Sequence, residues 1–400
     1  MVYLAVHSAI CKIKNHFSRL RRTAGKTDGG ENLHLPSLGL LAALFLFAAA
    51  LTPMARAAAT FDIPPLDSAG GSKSNALGIS ASGQIVGYSS PPGNAVFNPF
   101  FYLNGSLTAL GTLGGSQGYA YGINAIGQIV GVSALIGNTD SHAFIYSNGT
   151  MTDLGTLGGL NSSAYGINVG GQIVGNADIG GALHAFSDFD EVMTDLGTLG
   201  GTNSYARGIN DSGQIVGFSD IANTAASHAF YYFGSSMIDL NTLGGSSSFA
   251  LGINNSGQII GYSDVTTGIS PHAFSYSNNS MTDLGTLGGS FSWAYGINAS
   301  GQIVGSSRLA GDVVQHAFYY SGNQMIDLNS LLPAASGFEL IEASAINDVG
   351  QIVGYGKING QFHAFLLNTA DTGVPEPASV TLLGAGIAAM VLVRRKLRCQ

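Results

Sequence analysis

Gly83-Gln84-Ile85-Val86-Gly87 is the first of seven near-identical pentapeptides. The others stand at 127–131, 171–175, 213–217, 257–261, 301–305 and 350–354, with Ile260 in place of Val. Successive copies lie 44, 44, 42, 44, 44 and 49 residues apart. A repeat of that length is one supersecondary unit that buries its apolar surface against its neighbours, so 60–373 reads as a single array.

Each repeat offers four short strands, seen in the fourth at 204–210, 214–218, 228–232 and 237–240. Asn-x-x-Gly joins the first to the second, from Asn124 to Gly127 through Asn347 to Gly350, with Ser80 to Gly83 in the opening repeat. Asn or Ser at the start of a turn and Gly at its end is hairpin chemistry. Asn104-Gly105, Asn148-Gly149 and Asn278-Asn279 tolerate positive φ and mark a second hairpin. Leu-Gly-Thr-Leu-Gly-Gly, at 110–115, 154–159, 196–201 and 284–289, leads to the next repeat. A phosphate loop needs a helix N-terminus and usually a Lys, whereas a strand follows here, so this stretch is a crossover.

Four antiparallel strands per unit predict an all-β fold, a seven-bladed β-propeller without disulfides. The array opens on a strand of the fourth type, Thr60–Leu66, and closes on one of the third type, His363–Leu367. Each end supplies what the other lacks, so the N-terminal strand is expected to complete the last blade and close the ring. Pro64 and Pro65 suit only an edge strand, which puts the fourth strand outermost. The first strand then lies at the axis, with small residues (Ala206, Gly208) on one parity and large ones (Tyr205, Ile209) on the other.

Within 60–373 there are 4 Lys and Arg against 20 Asp and Glu, a formal charge of 4 − 20 = −16 beside −8 for the whole chain. Such a surface repels nucleic acid, which is excluded as a partner. Cys11 and Cys399 both lie outside the array, so burial between repeats must hold it. Residues 1–57 read as a basic leader and signal peptide, with the apolar run 38–51 and Ala55-Arg56-Ala57 as the cleavage site; an uncleaved anchor is the alternative. Residues 58–373 are the propeller. In 374–400, Pro375-Glu376-Pro377 precedes an apolar run, 380–393, and Arg394-Arg395-Lys396, which suits transient membrane insertion with a cytoplasmic basic stop, a transmembrane helix.

The tail resembles a PEP-CTERM sorting signal. That resemblance implies export to the surface of a Gram-negative cell or beyond it, an exosortase-type sorting enzyme as partner, and an association with exopolysaccharide. The array resembles the HAF extracellular repeat family through His-Ala-Phe at 142–144, 184–186, 228–230, 272–274, 316–318 and 363–365; the first repeat departs with Asn98-Pro99-Phe100. The family brings no activity to carry over.

His142, His184, His228, His272, His316 and His363 recur one per blade and off the axis, too far apart to share an ion. Their expected role is structural, bonded to the Asp eleven residues on: Asp153, Asp195, Asp239, Asp283 and Asp327. Asp140, Asp178, Asp220, Asp264 and Asp312 sit in loops where Ca²⁺ would find oxygen ligands, but no spaced Asp-x-Asp-x-Asp appears. No cofactor is expected.

The residue before the Ala of the axial strand reads Asn75, Tyr119, Ser163, Tyr205, Phe249, Trp293 and Glu342 around the array. Tyr119, Tyr205, Phe249 and Trp293 are ligand-binding candidates that would stack on sugar rings; the competing reading is that they wedge between blades. No nucleophile, base and orienting group converge on visible spacing. The expected function is a non-enzymatic surface binding module for polysaccharide, with a structural matrix protein and, less favoured, a propeller glycosidase as alternatives.

Overall fold

The structure, a computed structural model, describes residues 73–90, 96–266, 270–333 and 336–368, all within one compact unit, 57–400. The described residues hold 27 strands and a single 3-10 turn, Leu328–Leu331. Each repeat forms an antiparallel meander whose strands lie side by side in chain order, the pattern of a β-propeller-like fold. Five repeats make separate four-stranded sheets. The first and last are joined into one seven-stranded sheet by a single parallel pairing, Lys73 with Phe362. The last repeat contributes three strands to it; Thr60–Leu66, the expected fourth, lies outside the described residues, as do the leader and the tail.

The strand that opens each sheet is the inner one. These strands are Lys73–Ile79, Gly114–Ile123, Ser162–Ile167, Gly200–Ile209, Gly244–Ile253, Gly288–Ile297 and Phe338–Ile346, and each contacts the next, the last contacting the first. Four of them begin at the glycine pair of the crossover, so the strands run longer than the turn signals alone suggest.

Both glycines of the pentapeptide have a physical reason. The first closes the turn: Gly213 N–H donates to Asn210 O at 3.0 Å with φ 76°, a left-handed position that costs a Cβ dearly. The second faces a carbonyl: a Cβ at Gly217 would stand 1.9 Å from Tyr205 O, and the equivalent contact recurs at 1.9–2.0 Å in every sheet. Opposite that glycine the inner strand bulges. Ala206 pairs with Gly217 and Gly208 with Val216, leaving Arg207 as the extra residue, and the same shift occurs in each inner strand. A bulge reverses which face later residues occupy. The alternation expected along the axial strand is therefore corrected: Tyr205 and Ile209 lie on opposite faces.

The core sits between sheets. The Phe of His-Ala-Phe is fully buried in every repeat that carries the motif, as is Phe100 in the first. In five of the six His-Ala-Phe repeats the Ala N–H donates to a buried Ser of the following sheet, Ala143 to Ser162 Oγ at 2.8 Å and Ala229 to Ser248 Oγ at 2.9 Å; Ala317 is the exception, since Ile341 stands where that Ser would be. Ala364 makes the same bond to Ser74 of the first sheet at 2.9 Å. A second set of links joins the turns. Asn124, Asn168, Asn210, Asn254 and Asn298 each donate a side-chain N–H to the carbonyl of the next turn at 3.0–3.2 Å, and Asn347 donates to Ser80 O at 3.1 Å. Ser80 is too short to continue the series to Asn124.

Candidate functional site

The seven residues preceding the axial Ala each stand opposite a residue of the second strand. Tyr205 stacks on Phe218 at 4.6 Å, and Phe218 meets Phe249 of the next sheet edge-on at 4.9 Å. Tyr119 meets Tyr88 of the preceding sheet at 5.0 Å, and Trp293 stacks on Phe291 at 5.9 Å. All four candidates are half-buried. They belong to the second, fourth, fifth and sixth sheets, and ring contacts join only Tyr205 and Phe249, through Phe218. Arg207, pushed inward by its bulge, lies 3.9 Å above the ring of Tyr165.

The repeated histidines stand elsewhere, on the third strands. His142, His184, His228, His272 and His316 bond through Nδ1 to Asp153, Asp195, Asp239, Asp283 and Asp327 at 2.7–2.9 Å. The same carboxylates accept a backbone N–H two residues on, as Asp153 Oδ1 does from Gly155 at 2.7 Å. Each pair thus ties the third strand to the crossover of its own sheet; His363, in the last sheet, is buried. Asp178, Asp220, Asp264 and Asp312 accept from neighbouring loop residues, Asp220 Oδ2 from Asn203 N and Nδ2. No group able to hold a metal ion occurs among the described residues.

The feature that sequence reasoning missed lies where the last sheet packs on the first. A cavity of about 430 Å³ is walled by Tyr88 and Phe97 on one side and Tyr355 and Phe362 on the other. Both pairs meet edge-on, at 5.0 and 6.1 Å. Asn75 and Glu342 line it from the positions that carry rings in four other sheets, and Lys73 stands at its rim. Asn75 is 8% exposed and its Oδ1 has no hydrogen-bond partner among the described residues. Burial pushes the Glu342 carboxyl up to about 7, opposed by hydrogen bonds from Ser344, at 3.4 Å, and Tyr295. Burial, then the charge of Glu342, raises the Tyr355 hydroxyl to about 12. The signal was present: Asn75 and Glu342 are neighbours once the ends of the array meet, so two polar exceptions in one sequence column fall together.

The PEP-CTERM protein-sorting motif matches residues 373–396. It marks an exported protein sorted to the cell surface and is recognised by exosortase-type enzymes. Among the described residues no helix is long and apolar enough to cross a membrane; the runs 38–51 and 380–393 lie outside them. No curated protein matches the sequence. Among solved structures, TolB from Acinetobacter baumannii is 13% identical over 72% of this chain and 64% of its own, with a TM-score of 0.41. A putative TolB from Agrobacterium tumefaciens is 12% identical over 73% and 89%, with a TM-score of 0.39. A gluconolactonase from Xanthomonas campestris is 10% identical over 77% and 96%, with a TM-score of 0.35. Likeness at this level carries no functional argument.

Proposed function

We propose that residues 58–373 are a HAF-repeat propeller of seven blades, closed by Thr60–Leu66, that acts at the cell surface as a non-catalytic binding module for polysaccharide. Residues 1–57 serve as leader and signal peptide, and 374–400 as the sorting tail. Closure is supported by the contacts of the last sheet with the first, through Asn347 to Ser80 and Ala364 to Ser74. The single observation that carries the binding role is the junction cavity. Its four aromatic walls offer faces for sugar rings, and the unpartnered Asn75 Oδ1 and the Glu342 carboxyl offer acceptors for hydroxyl donors. Glycoside hydrolysis by the usual route needs two carboxyl groups flanking the bond, and Glu342 is the one acid among the described residues lining this cavity. On this reading Tyr119, Tyr205, Phe249 and Trp293 are wedges between sheets, and the His-Asp pairs are ties within them.

Retention of the exported protein on polysaccharide from the producing cells tests the proposal. Glu342→Gln and Tyr355→Ala should each weaken retention at least tenfold without change in product length. Unchanged retention in both variants, or release of shortened sugar, would overturn it.

A further inference from the structure

In five sheets a tyrosine occupies the same place on the third strand. Tyr102, Tyr146, Tyr232, Tyr276 and Tyr320 each pair with the first Ile of their pentapeptide and pack into the core between sheets. In the third sheet the residue opposite Ile173 is Asp188. No tyrosine stands at that place, and a cavity of about 470 Å³ lies between the second and third sheets. Ile145, Leu154, Ile173 and Phe189 supply apolar surface to it. Asp188 lines it from within and Asp190 and Glu191, the corner of the adjoining hairpin, also face it.

Asp188 is 4% exposed and accepts no hydrogen bond from the described residues, and no Lys or Arg is among the residues lining the cavity. Burial and the neighbouring Glu191 push its carboxyl upward. A carboxylate with no hydrogen-bond donor among the described residues, set against apolar walls, is stabilised by a cation beside it. Asp153, the remaining acid of the cavity, is already engaged by His142 and by Gly155 N–H, which leaves three carboxylates beside an apolar slot shaped by a missing phenol ring.

We propose that this cavity binds the guanidinium group of an arginine side chain presented by a partner protein. A guanidinium is planar like the absent ring, its fork of N–H donors matches carboxylates two at a time, and the apolar walls take the methylene stem. A Ca²⁺ ion would need a shell of oxygens, whereas Ile145, Leu154, Ile173 and Phe189 present hydrocarbon here. The site is separate from the junction cavity and does not rest on the polysaccharide reading.

The test uses the full chain and agmatine, a four-carbon stem with a guanidinium at one end and an ammonium at the other, in calorimetric titration, with putrescine, which carries an ammonium at both ends of the same stem, and CaCl₂ as comparators. Saturable agmatine binding is expected, at least tenfold tighter than putrescine and at least tenfold weaker in Asp188→Asn. Asp188→Tyr restores the residue found at this place in five other repeats, so it should fold with an unchanged or higher melting temperature and lose agmatine binding. Absence of agmatine binding to the native chain, or equal binding by Asp188→Tyr, would sink the proposal. Ca²⁺ binding that depends on Asp188 in place of agmatine binding would overturn it in favour of a metal site.

Discussion

Glu342 holds its proton in the fold up to about pH 7, while an unfolded chain releases it near the ordinary 4.5. Between those values the folded state carries more proton, so the stability contributed by this group declines as pH rises through the window and is flat above it. Glu342→Gln stays neutral and escapes the decline. Urea denaturation should find the variant and the native protein alike near pH 4.5, and the variant ahead by on the order of 2 kcal/mol at pH 8. A difference independent of pH would mean the carboxyl is not desolvated; Asp188, common to both proteins, cancels. At this scale the sequence was only partly legible. The axial column containing Glu342 was visible, but that its carboxyl would be buried beside Asn75 depends on which repeats become neighbours. Nor does any residue announce the carbonyl 1.9 Å from the missing Cβ of Gly217; a repeated glycine marks both a turn and a close approach, and only the packing of the inner strand separates them.

Among the elements, the Asn-x-x-Gly turns were readable because hairpin corners are decided by a few local dihedral angles. The bulge of the inner strand was not. It arises from packing against the second strand and has no residue type of its own, being Leu77, Tyr121, Tyr165, Arg207, Leu251, Tyr295 and Ser344 in turn. The turns also carry a testable defect. Six of them are linked by an asparagine side chain, and Ser80 leaves the seventh link unmade. Ser80→Asn should place an N–H against Asn124 O and stabilise the fold by about 1 kcal/mol, the ordinary net worth of a hydrogen bond. A thermal melt that moves down, or amide exchange at Asn124 to Gly127 that does not slow, would show the geometry cannot accept the link.

For the molecule as a whole, removal of Thr60–Leu66 should leave the strand Gln361–Asn368 with an open edge and cause aggregation or a large fall in melting temperature. An unchanged melt would count against closure by that strand. Mass spectrometry of the surface-exposed protein should find its terminus near Pro375 to Ser379; recovery of Gln400 would contradict processing at the sorting motif. The strand Gln361–Asn368 has one more consequence. Phe362, near its start, walls the junction cavity, while Asn368, at its end, accepts from Gln351 Nε2 at 2.9 Å beside the Asn347 to Gly350 turn. Six residues at a strand's rise separate them by roughly 20 Å. The last described residue therefore lies on one side of the fold and the cavity on the other. A tether holding the tail would turn the plain tiled side toward the cell and leave the irregular, loop-bearing side looking outward.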